Sequence, residues 1–208
     1  MKLMRTMVLC ITAFLLLSSN ADAQLFQIGA GGGLTQILDP SYYTDSPGDG
    51  GLGFSTEWNI GVMAKLGLPL IPITPRAYFL YHSLSGSGDV DPQYFQDPTV
   101  EITQSISELG LGVQYNFLPL PAGFDPYIAL DLAYNSFSSI EVNDNEVPDS
   151  KQNRFGGGIG IGTEITIIPI INVDVYASYK MFNLIGKEDG EENVTAFTLD
   201  AFIMFSFL

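Results

Sequence analysis

The chain has 208 residues, one cysteine, one histidine and a formal net charge of −15, from 23 acidic against 8 basic residues. That balance argues against a nucleic-acid partner, because phosphate binding requires basic patches. The single cysteine and single histidine exclude metal centres built on cysteine or several histidines, and the length points to one domain.

The first 23 residues read as a signal peptide. Lys2 and Arg5 form a basic start, Met7–Leu17 an apolar run, and Ala21-Asp22-Ala23 a small-x-small cleavage site before Gln24. The apolar run is shorter than the ~20 residues that a membrane-spanning helix needs. Cys10 lies inside it without small residues before it, so a lipoprotein anchor is not expected. Residues 24–208 then form an exported domain without cysteine, disulfide or thiol chemistry.

From Gln24 onward the period is two, which predicts strands. In Gln24–Thr35, Phe26, Ile28, Ala30 and Leu34 oppose Gln27, Gly29, Gly31 and Gly33. Asp39–Gly51 is a Gly/Pro/Asp loop. Phe54–Leu68 puts Phe54, Trp58, Ile60 and Val62 against Glu57, Asn59 and Lys65, and Pro69–Pro75 is a tight connection. Arg76–Leu84 opposes Arg76, Tyr78, Leu80 and His82 to Ala77, Phe79 and Tyr81, and Ser85–Pro98 is a polar loop. Val100–Phe117 sets Leu109, Leu111 and Val113 against Glu108, Gly110, Gly112 and Gln114. After the proline-rich Leu118–Pro126, the strand Tyr127–Phe137 separates Ile128, Leu130 and Leu132 from Tyr127, Ala129 and Asp131. Ser138–Gln152 is an acidic loop. Arg154–Ile168 opposes Ile159 and Ile161 to Gly156, Gly158, Gly160, Gly162 and Glu164, and a short turn spans Pro169–Asn172. Val173–Phe182 sets Val175 and Tyr179 against Asp174, Tyr176 and Lys180, and Leu184–Asn193 is the last loop. In Val194–Leu208, Phe197, Leu199, Ile203, Phe205 and Phe207 oppose Thr198, Asp200, Phe202 and Met204.

These eight strands alternate short proline-rich turns with longer polar loops, as transmembrane β-barrels do. The turns Leu-Pro-Leu-Ile-Pro, Leu-Pro-Leu-Pro and Ile-Pro-Ile-Ile recur roughly every 50 residues, one hairpin per period. The fold class is therefore all-β: an eight-stranded antiparallel up-and-down transmembrane β-barrel. The last strand is expected to pair with Gln24–Thr35 and Val173–Phe182, which closes the ring. A soluble eight-stranded barrel has its apolar face inside. Here glycines crowd the polar face, which suits the narrow inside of a barrel. Aromatics such as Phe26, Phe54, Tyr115, Tyr134, Phe155 and Phe207 sit near strand ends on the apolar face, as interfacial girdles require.

The signal peptide, the Gly-x-Gly strands at 109–112 and 158–162, the proline-rich turns and the aromatic last strand resemble the small outer-membrane β-barrel domain proteins common in Bacteroidota, the PorT-like and OmpX/OmpA-barrel-like group. The resemblance covers the whole chain after the leader. It implies a bacterial outer-membrane location, lipid contact and passage through the barrel-assembly machinery. It implies no active site and no cofactor, and it leaves an extracellular or periplasmic protein partner unnamed. Such barrels often end on an aromatic residue, whereas this chain ends Phe207-Leu208.

Glu57, Lys65, Arg76, Glu108, Asp131, Glu164, Asp174, Lys180 and Asp200 lie on the polar parity and form a candidate lumen charge network. Such a network could line a small ion-conducting pore, or it could plug a barrel whose interior has room only for side chains. Asp200 is expected to face Lys180. The loop pairs Asp89/Asp91 and Asp144/Glu146 offer oxygen ligands without the spacing of a calcium loop; an acidic solvated surface is the alternative. His82 with Ser83, Ser85 and Glu57 or Glu108 could suggest an outer-membrane lipid-modifying hydrolase, but in a strand Ser83 faces away from His82. Gly48, Gly50 and Gly53 fit Gly-x-Gly-x-x-Gly, yet a strand follows where a nucleotide loop needs a helix. The function read from the sequence is a non-enzymatic barrel with a structural, adhesive or assembly role through acidic outer loops, with a pore or a hydrolase as alternatives.

Overall fold

A computed structural model describes residues 25–68, 71–89, 99–117, 123–148 and 150–207. The leader and its cleavage site, Cys10, Asp91, Asp149 and Leu208 lie outside the described residues. Eight long strands form the wall: β1 (Leu25–Asp39), β2 (Thr56–Gly67), β3 (Ile73–Asp89), β4 (Thr99–Asn116), β5 (Phe124–Phe137), β6 (Gln152–Ile168), β7 (Ile171–Ile185) and β8 (Thr195–Phe207). Each pairs antiparallel with its sequence neighbours. β8 closes the ring on β1, from Phe26 opposite Phe207 to Gln36 opposite Phe197. Closure removes the unpaired edges that an open sheet exposes.

The two parities separate as an outer-membrane barrel demands. Leu111 is 67% and Leu132 71% exposed, as are Ile161, Ile60 and Ile203 to comparable degrees, and together they form an apolar belt around the outside. A belt of this extent is unsuited to water and suited to lipid. The opposite parity is buried inside. Glycines on that face leave room for large inward side chains: a Cβ on Gly110 would strike the ring of Tyr78, one on Gly162 the ring of Tyr127, and one on Gly160 the ring of Tyr176.

Several boundaries differ from the sequence reading. β3 and β4 continue to Asp89 and Thr99, so Ser85–Asp89 is strand rather than loop. Its Ser-Gly-Ser-Gly alternation carries no apolar face, and the pattern therefore read as loop. Pro75 and Pro126 lie within strands, not turns. Pairing of β3 to β2 ends at Arg76 and of β5 to β4 at Tyr127, so each proline sits where one side of its strand is unpaired. β1 runs on to Asp39 and β7 to Ile185. The loop after β5 holds a small hairpin, Glu141–Val142 with Asn145–Glu146, turned by Asn143 and Asp144 at positive φ.

Phe54, assigned by parity to the lipid face, is instead 2% exposed and inside. The chain leaves the strand between Phe54 and Thr56, and that break resets the alternation. Thr195 likewise turns inward where the β1–β8 register shifts beyond Ile37, and its hydroxyl donates to Asp39 at 2.9 Å.

The β1–β2 loop folds as a lid. Helix α1 (Ser41–Thr44) is followed by a short 3-10 turn at Pro47–Asp49. The N–H groups of Leu52, Gly53 and Phe54 return to the carbonyls of Tyr42, Asp45 and Tyr43 at 2.8 Å each. Tyr43, Leu52 and Phe54 thereby pack into the barrel mouth against Leu84, Ile102 and Phe182. The Gly48/Gly50/Gly53 triplet belongs to this lid, with Gly50 and Gly53 at positive φ.

Gly110→Val and Gly162→Val should each lower stability by about 1–3 kcal/mol through overpacking, whereas Leu132→Val on the lipid face should change it by well under that. Urea titration followed by heat-modifiable gel mobility reads the difference, and equal stability of all three variants would refute the complementarity of glycine and tyrosine.

Candidate functional site

The polar parity converges on three knots inside the barrel. At the short-turn end, Lys65 is 1% exposed. Its ammonium donates to Gln114 Oε1 and Glu164 Oε1, both at 2.8 Å, and to Asp174. The Gln114 amide donates to Glu164 at 2.7 Å, and the Tyr127 hydroxyl to Asp174 at 2.5 Å. In the second knot, Arg76 grips Asp131 with Nε at 2.9 Å and Nη2 at 2.5 Å. Tyr176 donates to the same carboxylate at 2.9 Å, and its ring lies 4.1 Å from the guanidinium carbon.

The third knot is centred on Glu108. It accepts from Lys180 at 2.6 Å and from Tyr78 at 2.8 Å, and His82 Nε2 lies 2.9 Å away. The other ring nitrogen of His82 lies 2.7 Å from the Thr35 hydroxyl. Asn59 donates to Thr35 at 3.0 Å and to Asp200 at 2.7 Å. Thr198 donates to Asp200 at 3.0 Å, and Ser178 and Thr198 share a bond of 2.8 Å.

The lysine and arginine ion pairs of this lumen link strands that are not neighbours, whereas His82 and Glu108 lie on the adjacent β3 and β4. Lys65 on β2 reaches β6 and β7, Arg76 on β3 reaches β5, and Lys180 on β7 reaches β4. They act as braces across the bore. A bidentate Arg–carboxylate pair is among the strongest of such contacts. Breaking one partner of a buried pair leaves an uncompensated charge, which is costly. Above the knots the apolar layer of the lid, with Leu84, Ile106, Phe137 and Phe182, fills the outer mouth.

Of the nine residues singled out in the sequence, eight lie inside this arrangement and Glu57 does not. Glu57 is half-buried at the rim, where Ser85 donates to it at 2.6 Å. The expected Asp200–Lys180 contact is not made. The β7–β8 register puts Asp200 opposite Tyr176 and Lys180 opposite Ala196, and Lys180 instead crosses the bore to Glu108. Asp200 is held by amide and hydroxyl donors. The tyrosines, Gln114, Asn59 and Thr35 were not singled out, although their parity and their glycine neighbours marked them.

His82 is fully buried, and its partners are Thr35 and Glu108 rather than Ser83 or Ser85. Among the described residues no group of three or more His, Cys, Asp or Glu is placed to hold a metal ion. In the hairpin that carries the Asp144/Glu146 pair, Asn143 Oδ1 accepts from the Glu101 N–H at 2.8 Å and Glu146 accepts from Ser139.

The sequence profile of the outer membrane protein beta-barrel domain matches residues 7–205. The chain belongs to this family. Solved outer-membrane barrels share its fold: Neisserial surface protein A (TM-score 0.60, 16% identity, 88% of this chain and 97% of that one), a major outer membrane protein of Thermus thermophilus (0.61, 14%, 89% and 100%), and the N-terminal barrel domain of Pseudomonas aeruginosa OprF (0.50, 12%, 88% and 97%). No curated protein sequence matches the chain.

Outside the membrane, Arg154 latches the last outer loop. Its guanidinium donates to both oxygens of Glu191, at 2.7–3.0 Å, and Asn183 donates to the same carboxylate at 2.8 Å. Burial pushes the Glu191 carboxyl up, but these donors outweigh it and hold its pKa at about 2, against an ordinary 4.5. A folded pKa below the unfolded one means that the latch contributes fully above the unfolded value and fails as pH falls through the folded one. Amide protection of Lys187–Val194 should therefore hold down to about pH 4.5 and decline towards pH 2, while Arg154→Met should lose it at neutral pH.

Asp131→Leu should destabilise the barrel by ~3–5 kcal/mol by stranding Arg76. The Arg76→Met/Asp131→Leu pair should recover most of that loss. Urea unfolding in micelles decides, and a double variant as unstable as Asp131→Leu would show that the pair is not a brace.

Proposed function

We propose that this is a plugged, non-conducting and non-enzymatic barrel of the bacterial outer membrane, and that its structural, adhesive or assembly role is carried by the acidic outer loops. The observation that carries this reading is the filled bore. Three ion-pair knots occupy the bore below the lid, and an apolar layer occupies the mouth. An eight-stranded barrel has interior width only for side chains, and here the side chains cross-link. The hydrolase alternative needs a histidine open to substrate, and His82 is sealed below the lid.

The same reading takes residues 1–23 as a leader removed before Gln24, the apolar belt as lipid-facing, and the last strand, with Phe205 and Phe207 on one parity, as what the assembly machinery engages. It also assigns the chain to the PorT-like group common in Bacteroidota.

In planar bilayers the folded protein should give no single-channel steps, and reproducible stepwise conductance would overturn the plug. Mass spectrometry of protein purified from outer membranes should find Gln24 as the first residue, and a retained leader would refute cleavage there. Replacing the outer loops with short turns should leave the heat-modifiable barrel in the membrane and remove its surface role.

A further inference from the structure

The outer loops enclose an open cleft of about 500 Å³, a size typical of ligand sites. Tyr42, Tyr43, Lys151, Gln152, Glu188 and Glu192 are among the residues that line it. The walls are preset. Tyr43 packs edge-on against Tyr42 at 6.0 Å, and the Tyr42 carbonyl accepts the Leu52 N–H at 2.8 Å. Ser150 accepts the Ile140 N–H at 2.8 Å, and the Glu188 N–H donates to the latched Glu191 at 3.0 Å.

The lining divides into committed and open groups. Glu191 is saturated by Arg154 and Asn183. The Glu188 side chain is 84% exposed and meets Arg154 only at 3.5 Å, and Glu192 is exposed. Tyr42 is 50% exposed. An exposed aromatic ring that shares the cleft with two water-facing carboxylates, one of them only loosely held by Arg154, matches a planar cation: a guanidinium stacks on an aromatic ring and donates to carboxylates in a fork that an ammonium lacks. Around the cleft Asp45, Glu141, Glu146 and Asp189 add negative charge, against Lys151, Lys187 and Arg154 as the bases among the described residues of the cap. Such a field draws in basic partners.

We infer that this cleft binds an arginine side chain displayed on an extended segment of a partner protein, with the guanidinium on Tyr42 and against Glu188 and Glu192. Lys151, which also lines the cleft, is the donor for a carbonyl of the same segment. The inference rests on the outer loops being the working surface of the barrel.

The test is calorimetric titration of the full chain, folded in micelles, with the blocked tripeptide Gly-Arg-Gly and its citrulline and lysine counterparts. Arginine should bind, citrulline should not, and lysine should bind about tenfold more weakly. Tyr42→Ala and Glu188→Gln/Glu192→Gln should each weaken arginine binding about tenfold, while Glu101→Gln/Asp144→Asn, which removes equal charge elsewhere on the cap, should leave it unchanged. Gel mobility confirms that each variant is folded. Equal loss in the cleft and distal variants would overturn the site in favour of diffuse attraction, and so would arginine binding no better than citrulline. If arginine fails to bind while loop-trimmed protein still loses its surface role, the cleft falls and the function of the cap stands. If trimming also leaves that role intact, both fall.

Discussion

A charge sealed inside a narrow barrel has nowhere to go. The lipid belt closes it off laterally, and the lid closes the outer mouth. Each buried cation must therefore be matched by carboxylates within the bore. Lys65, Arg76 and Lys180 satisfy this by reaching across to non-neighbouring strands. The result is mechanical as well as electrostatic. Ladder bonds tie each strand to its neighbours, the Lys65 and Lys180 pairs tie distant walls together, and Arg76–Asp131 spans the single strand between β3 and β5. Buried ion pairs are a poor source of net stability compared with packed apolar groups. Their value here is specificity: a slipped register would rotate a charge onto the lipid face, so these pairs oppose the slips that a closed ring of alternating strands would otherwise allow.

The wall accommodates the braces through side-chain size. A bore only eight strands round cannot hold bulky residues at every inward position. Tyr78, Tyr127 and Tyr176 are inward, and the nearby positions Gly110, Gly162 and Gly160 are empty of side chain. Each tyrosine then spends its hydroxyl on a carboxylate: Glu108, Asp174 and Asp131 respectively. Glycine on the inner face is thus the spatial counterpart of tyrosine, and tyrosine is the hydrogen-bonding counterpart of the acids.

The fold was legible because period-two alternation survives wherever one face meets lipid. Strand order, closure of β8 on β1 and the inward set all follow from it. Legibility failed where that contrast disappears. Above the membrane, Ser85–Asp89 has no apolar parity and its strand went unseen, and at Phe54 a one-residue break reversed the facing. The network was legible as a set and not as pairs. Parity says that Asp200 and Lys180 both point inward. Which partner each meets depends on reach inside the bore, and adjacent strands in sequence are the wrong place to look when the braces skip at least one strand. Arg154 and Glu191 left no trace of their contact in the sequence, because one sits at a strand start and the other within an acidic loop that looks uniformly solvated.

The rigid bore also determines what the outer end can do. The braces cross the bore and the lid packs into its mouth, so the described outer loops rise from strand ends that are tied on the inside. The lid is tied by backbone bonds to its own helix, and the last loop is tied by Arg154 to the start of β6. A lid and a last loop tied in this way have less to order when a partner arrives, which reduces the cost of binding. Loops of similar acidity without such ties would repel one another and splay. The latch neutralises one carboxylate of the last loop and leaves Glu188 and Glu192 facing water, so a single arginine both holds the loop down and decides which of its charges remain available.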